Sequence, residues 1–162
     1  MDSNYLVVGS APLNRHERAE GISPRPRSWS ENGSLDGFPG LRILLIDDLE
    51  AVHLITSNLC HKKFKWTVIS ARTAQEGKTL ALSEKYDVIL LDFNLDKGNK
   101  GNEVARKIRD VKAEVLIFSY SNGSVEDETY KERKLWDGHL DKNHIPTALK
   151  KLKEELLLHT LH

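Results

Sequence analysis

Apolar positions change their pattern near residue 40. From there on, short unbroken apolar runs alternate with stretches of helical period. "RILLID" (42–47) is a continuous apolar run with an abrupt polar end, which predicts a buried strand. "LEAVHLITSNLCHKKF" (49–64) follows as a helix, with Val52, Ile55, Leu59 and Phe64 on its apolar face. "WTVISA" predicts a second strand. "TAQEGKTLALSEKY" predicts a helix capped by Thr73, with Ala74, Gly77, Leu80 and Ala81 on one stripe. "DVILLDFNL" is a third strand. "GNEVARKIRDV" is a helix with Val104, Ile108 and Val111 in register. "EVLIFSYS" is a fourth strand, "SVEDETYKERKLW" a weakly amphipathic helix and "GHLDK" a short fifth strand. "IPTALKKLKEELLLHTL" closes with Ile145, Leu149, Leu152 and Leu156 on one side and Pro146 in the first turn, where proline is tolerated.

Strand and helix therefore alternate five times. Strands that are apolar throughout, without alternation, belong in parallel sheets covered on both faces. Right-handed crossovers then give an α/β, doubly wound five-stranded parallel sheet with helices on both faces. Such sheets bind ligands outside the carboxyl ends of their strands.

The first 39 residues differ. They are rich in Ser, Pro, Gly, Arg and Asn and lack either period. Such a segment buries too little apolar surface to offset the entropy of ordering, so residues 1–39 are expected to form a flexible arm preceding a globular domain at 40–160. Within it, "PRPRSW" reads as solvated tail in preference to a docking motif. Lys plus Arg balances Asp plus Glu at 24 each, which argues against a protein that binds nucleic acid mainly through phosphates. The single cysteine, Cys60, excludes an internal disulfide framework and suits a reducing, cytoplasmic setting. No signal peptide or membrane span is legible.

Chemistry gathers at the strand ends. The first strand ends in Asp47 and Asp48, the third in Asp92, the fourth at Ser119 with Ser121 two residues on, and the fifth at Lys142. Crowded carboxylates raise one another's pKa and become compatible around a hard divalent cation such as Mg²⁺. A lysine adds a point charge suited to a phosphoryl oxygen. An aspartate in such a setting can attack phosphorus to form an acyl phosphate.

In this order, acid pair, acid, hydroxyl and lysine resemble the receiver domain of two-component response regulators, chemotaxis-regulator-like, over residues 41–158. The "GNEVARKIR" helix start adds to the likeness. The resemblance implies a flavodoxin-like strand order 2-1-3-4-5. It implies Asp92 as phosphoacceptor, Asp47, Asp48, Asp92 and the backbone carbonyl of Asn94 around Mg²⁺, and Asp48 as the favoured direct ligand. Ser119, preferred over Ser121, would follow the phosphoryl group. Lys142 would pair with it, and His139 would occupy the aromatic switch position, or simply pack there. The phosphoryl donor would be a histidine kinase or histidine phosphotransfer protein. A downstream partner would read the face of the fourth helix, fifth strand and last helix, with no DNA-binding domain attached.

Departures from the family pattern are Asn143 where proline is common, Tyr120 where a small residue is usual, and a longer loop after Asp92 with Asp96 in place of proline. They leave a phosphorylation-independent pseudo-receiver scaffold as the alternative. A haloacid-dehalogenase-type Mg²⁺ phosphohydrolase is disfavoured by Asn94, which stands where that chemistry needs a second acid. The expectation is therefore a signalling phosphoacceptor rather than an enzyme. Cys60, Trp66 and Trp136 are expected to pack. His53 is expected at an exposed helix position, with a metal-ligand role as the lesser alternative.

Overall fold

The computed structural model describes residues 40–95, 98, 100–122 and 135–161. The arm expected over 1–39, the basic run at 131–134 and most of the helix expected over 124–136 lie outside the described residues. The described elements are β1 (Arg42–Ile46), α1 (Glu50–Leu59), β2 (Thr67–Ala71), α2 (Ala74–Ser83), β3 (Val88–Leu91), α3 (Gly101–Val111), β4 (Leu116–Ser121), β5 (Gly138–Asp141) and α4 (Ile145–Leu161).

The five strands form one parallel sheet in the order β2-β1-β3-β4-β5. The apolar runs explain why. Ile43 and Leu45 pack on one face with residues of α1 and α4, while Leu44 and Ile46 pack on the other with residues of α2 and α3. All four are fully buried, so each strand of this run needs two apolar faces. Because neighbouring strands all run in the same direction, each delivers its last residues to a single rim.

Helix α2 starts as its sequence predicts: Glu76 N–H donates to Thr73 Oγ1 at 3.0 Å. Helix α4 buries Ile145, Leu149, Leu152 and Leu156, the expected stripe. Helix α1 follows its predicted stripe at Val52, Leu59 and Phe64, which meet the core, but not at Ile55. Its buried positions are Val52, His53 and Thr56, while Ile55 is half exposed; a π-helical turn, Cys60–Phe64, extends it and buries Cys60. Burial pushes the Cys60 thiol up to about 12, so it behaves as a packing group. Val111, expected in the α3 stripe, is exposed at the helix end. Trp66 stacks on Phe64 and Trp136 meets Phe93 edge-on, both as core residues. No helix among the described residues is long and apolar enough to cross a membrane.

Candidate functional site

The rim at the carboxyl ends of the strands holds the polar residues the sequence singles out. Asp47 follows β1 and is fully buried; Asp92 follows β3 and is nearly so. Lys142, in a 3₁₀ turn directly after β5, sends Nζ between them, 2.7 Å from Asp47 Oδ2 and 3.0 Å from Asp92 Oδ2. Its side chain is 4% exposed, so the pairing takes place largely out of water. Asp48 is exposed at the mouth.

Burial lifts the Asp92 carboxyl above the ordinary range, the Lys142 charge and hydrogen bond pull it back, and Asp47 pushes it up again. For Lys142, burial is the largest influence and acts downward, but hydrogen bonds and charge from Asp47 and Asp92 outweigh it and hold the ammonium above its ordinary value. The pocket thus favours a charged lysine beside an acid whose charge is incompletely compensated.

The hydroxyl beside Asp92 belongs to Ser121 and not to Ser119. Ser121 Oγ donates to Asp92 Oδ1 at 3.1 Å and accepts from Phe93 N–H at 3.0 Å. Strand β4 runs three residues past the "VLIF" run, to Ser121, so both serines lie on one face and the second reaches the rim. Ser119 is paired across the sheet with His139, and its Oγ meets His139 Nδ1 at 2.7 Å. Lysine 142 likewise lies one residue past the strand it was expected to end.

Two departures find structural explanations, while Asp96 lies outside the described residues. Tyr120 points away from the rim into the core and is fully buried, its hydroxyl 2.8 Å from Thr56 Oγ1; it does not stand at the pocket mouth. Asn143 uses an N–H that proline lacks, donating to Asp141 Oδ1 at 2.9 Å to start the 3₁₀ turn. After Asp92, Asn94 N–H points back to Asp92 Oδ1 at 3.4 Å. Asn94 also bridges to Lys100, whose Nζ donates to Asn94 Oδ1 at 3.1 Å. Gly101 N–H donates to Phe93 O at 2.6 Å, and a Cβ on Gly101 would lie 2.9 Å from Phe93 Cα, so the approach demands glycine.

His53 is not exposed, and both its ring nitrogens are engaged within the protein. It is 2% exposed, with Nε2 donating to the backbone carbonyl of Asp47 at 2.7 Å and Nδ1 2.8 Å from Ser70 Oγ. A histidine four residues into a helix that follows an acid pair is the only sequence trace of this contact.

Divalent cation chemistry fits the acids. One carboxylate oxygen from each of Asp47, Asp48 and Asp92 lies within 4.8 Å of the others. Three carboxylates face one ammonium, an excess of negative oxygen that suits a hard ion such as Mg²⁺.

Residues 43–154 match the family model described as response regulator receiver domain. Solved structures with the same fold include a CheY-like response regulator receiver domain protein from Methanospirillum hungatei JF-1, at TM-score 0.63 and 23% identity, covering 75% of this chain and 97% of that one. A two-component response regulator from Clostridium difficile gives TM-score 0.63 at 24% identity, with 72% and 95% covered. The Vibrio cholerae chemotaxis protein CheY4 gives TM-score 0.63 at 20% identity, with 71% and 98% covered. Comparison with curated proteins returned no match.

Proposed function

Because the chain belongs to the response regulator receiver family, we propose that it is a phosphorylation switch in a two-component or phosphorelay pathway, with Asp92 as its phosphoacceptor. The observation that carries this reading is the Asp92 carboxylate held between Lys142 Nζ at 3.0 Å and Ser121 Oγ at 3.1 Å, beside two further acids. An Asp92 oxygen attacks the phosphorus of a phosphohistidine. The O–P bond forms as the P–N bond breaks, and the bonding pair stays on the departing imidazole, which takes up a proton. Lys142 transfers its hydrogen bond from carboxylate to phosphoryl oxygen, and Ser121 is the hydroxyl within reach of the same group. Asp48, Asp47, Asp92 and the Asn94 carbonyl would hold Mg²⁺, which when bound neutralises charge on the phosphoryl oxygens.

The donor in this reading is a histidine kinase or histidine phosphotransfer protein in the cytoplasm. Ser119 and His139 form the switch pair, and a downstream partner would read the surface that β5 shares with α4. The pseudo-receiver alternative loses the support of Tyr120, whose ring is in the core, and of Asn143, whose N–H is used.

Incubation with acetyl phosphate and Mg²⁺, read by intact mass, tests the proposal. The wild type gains one phosphoryl group and Asp92→Ala gains none. An unmodified wild type, or equal uptake by the variant, overturns it.

A further inference from the structure

Asp47 is fixed at every polar atom. Its N–H donates to Ala71 O at 3.1 Å, Oδ1 accepts from Leu49 N–H at 2.9 Å, and Oδ2 accepts from Lys142 at 2.7 Å. The fourth atom is the backbone carbonyl, and it accepts from His53 Nε2 at 2.7 Å. That carbonyl belongs to the peptide unit joining Asp47 to Asp48, so its direction fixes the plane from which the Asp48 side chain departs. A carbonyl only accepts, so Nε2 is the donor in this contact. On the ring's other side, Nδ1 meets Ser70 Oγ at 2.8 Å. Ser70 lies in β2, next to the Ala71 that receives the Asp47 N–H. One buried imidazole thus ties α1, β2 and the acid loop together.

We propose that His53 is a positioning residue that sets the angle between the two adjacent acids, and through it the affinity of the pocket for a divalent cation. This rests on the receiver reading of the pocket and adds a residue to it. His53 reaches no phosphoryl group or ion itself; it acts through the Asp47–Asp48 peptide. Partners that orient metal ligands from behind matter measurably: removing one commonly costs 10–100-fold in metal affinity.

Mg²⁺ titrations of the whole chain, followed calorimetrically and by beryllofluoride saturation, test the assignment. His53→Met keeps the volume and removes the donor; it should weaken Mg²⁺ binding about tenfold. Phosphorylation by acetyl phosphate should recover as Mg²⁺ is raised, because the defect lies in affinity. His53→Gln keeps an N–H of similar reach and should stay within about threefold of wild type. Ser70→Ala, which releases only the Nδ1 side, should fall between them, and it carries the test if His53→Met does not fold. Wild-type affinity in His53→Met, or in Ser70→Ala should His53→Met not fold, overturns the assignment. So does a His53→Gln variant as weak as His53→Met. A wild type that takes up neither Mg²⁺ nor beryllofluoride overturns the receiver chemistry itself, and the His53 role with it.

Discussion

The two edges of the sheet handle carboxylates in opposite ways. At the amino edge, each acid has its own partners. Asp87 stands just before β3, and its Oδ2 accepts from Arg42 N–H, the first residue of β1, at 2.7 Å. Asp137 stands just before β5, and its Oδ2 accepts from Ile117 N–H in β4 at 2.8 Å and from Arg109 at 2.7 Å. Arg109 also donates to the carbonyls of Leu135, Ala113 and Val115. At the carboxyl edge, Asp47 and Asp92 share the Lys142 ammonium, with the exposed carboxylate of Asp48 close beside them. The amino edge is closed electrostatically and serves the fold. The carboxyl edge is left with excess negative charge, which is the condition for taking up a cation and a phosphoryl group.

Substitutions can break that contrast. The largest effect is on chemistry: Asp92→Ala should abolish phosphoryl uptake by mass, whereas Asp137→Asn should leave it intact although it loosens the opposite edge. Next comes Lys142→Met. It strands two buried carboxylates, so denaturant unfolding without metal should show a loss of about 3–5 kcal/mol. Added Mg²⁺ should restore part of it, because a cation substitutes for the ammonium. Arg109→Met should cost about 2–3 kcal/mol, and Mg²⁺ should restore none of that. Equal rescue at both edges would erase the distinction.

A smaller effect concerns pH. Burial raises the Asp87 carboxyl to about 6, against the opposing hydrogen bond and charge of Arg42. The folded state therefore binds its proton more tightly than the unfolded chain does. Stability on this account is full below about pH 4 and falls as pH rises through about 6, by roughly 1–3 kcal/mol. Asp87→Asn keeps the acceptor for Arg42 N–H and removes the titration, so its stability curve should be flatter across that window and higher at pH 7. The smallest effect separates the serines: Ser121→Ala should slow phosphorylation about tenfold, the equivalent of one hydrogen bond of about 1.4 kcal/mol. Ser119→Ala should leave that rate near wild type and instead shift the His139 ring resonances in NMR spectra.

Much of the rim is legible in the sequence because each acid and the lysine sit at a junction that composition marks: an apolar run meeting a polar residue. Strand order follows from the same runs together with the family likeness. The choice between Ser119 and Ser121 is not legible. Both point to one face, and where β4 stops depends on its pairing with β3 and β5, Leu91 opposite Ser119 and Asp141 opposite Ser121. The inner face of α1 is equally hidden. A hydrophobic stripe through Ile55 is the natural reading, yet the core side carries His53 and Thr56. These polar residues are buried because they find partners there, and two of those partners, the Ser70 and Tyr120 hydroxyls, come from distant chain segments. Periodicity weighs hydrophobicity and has no access to such partners.

The staple between Gly101 N–H and Phe93 O closes the acceptor loop at its base, and the Asn94–Lys100 bridge closes it again one step further out. Whatever the intervening residues do, the two ends of the excursion stay side by side. Length can therefore be added at its tip without displacing the nucleophile. It also makes that tip a place where evolution, or an engineer, can vary what approaches Asp92 while leaving the acid where it is.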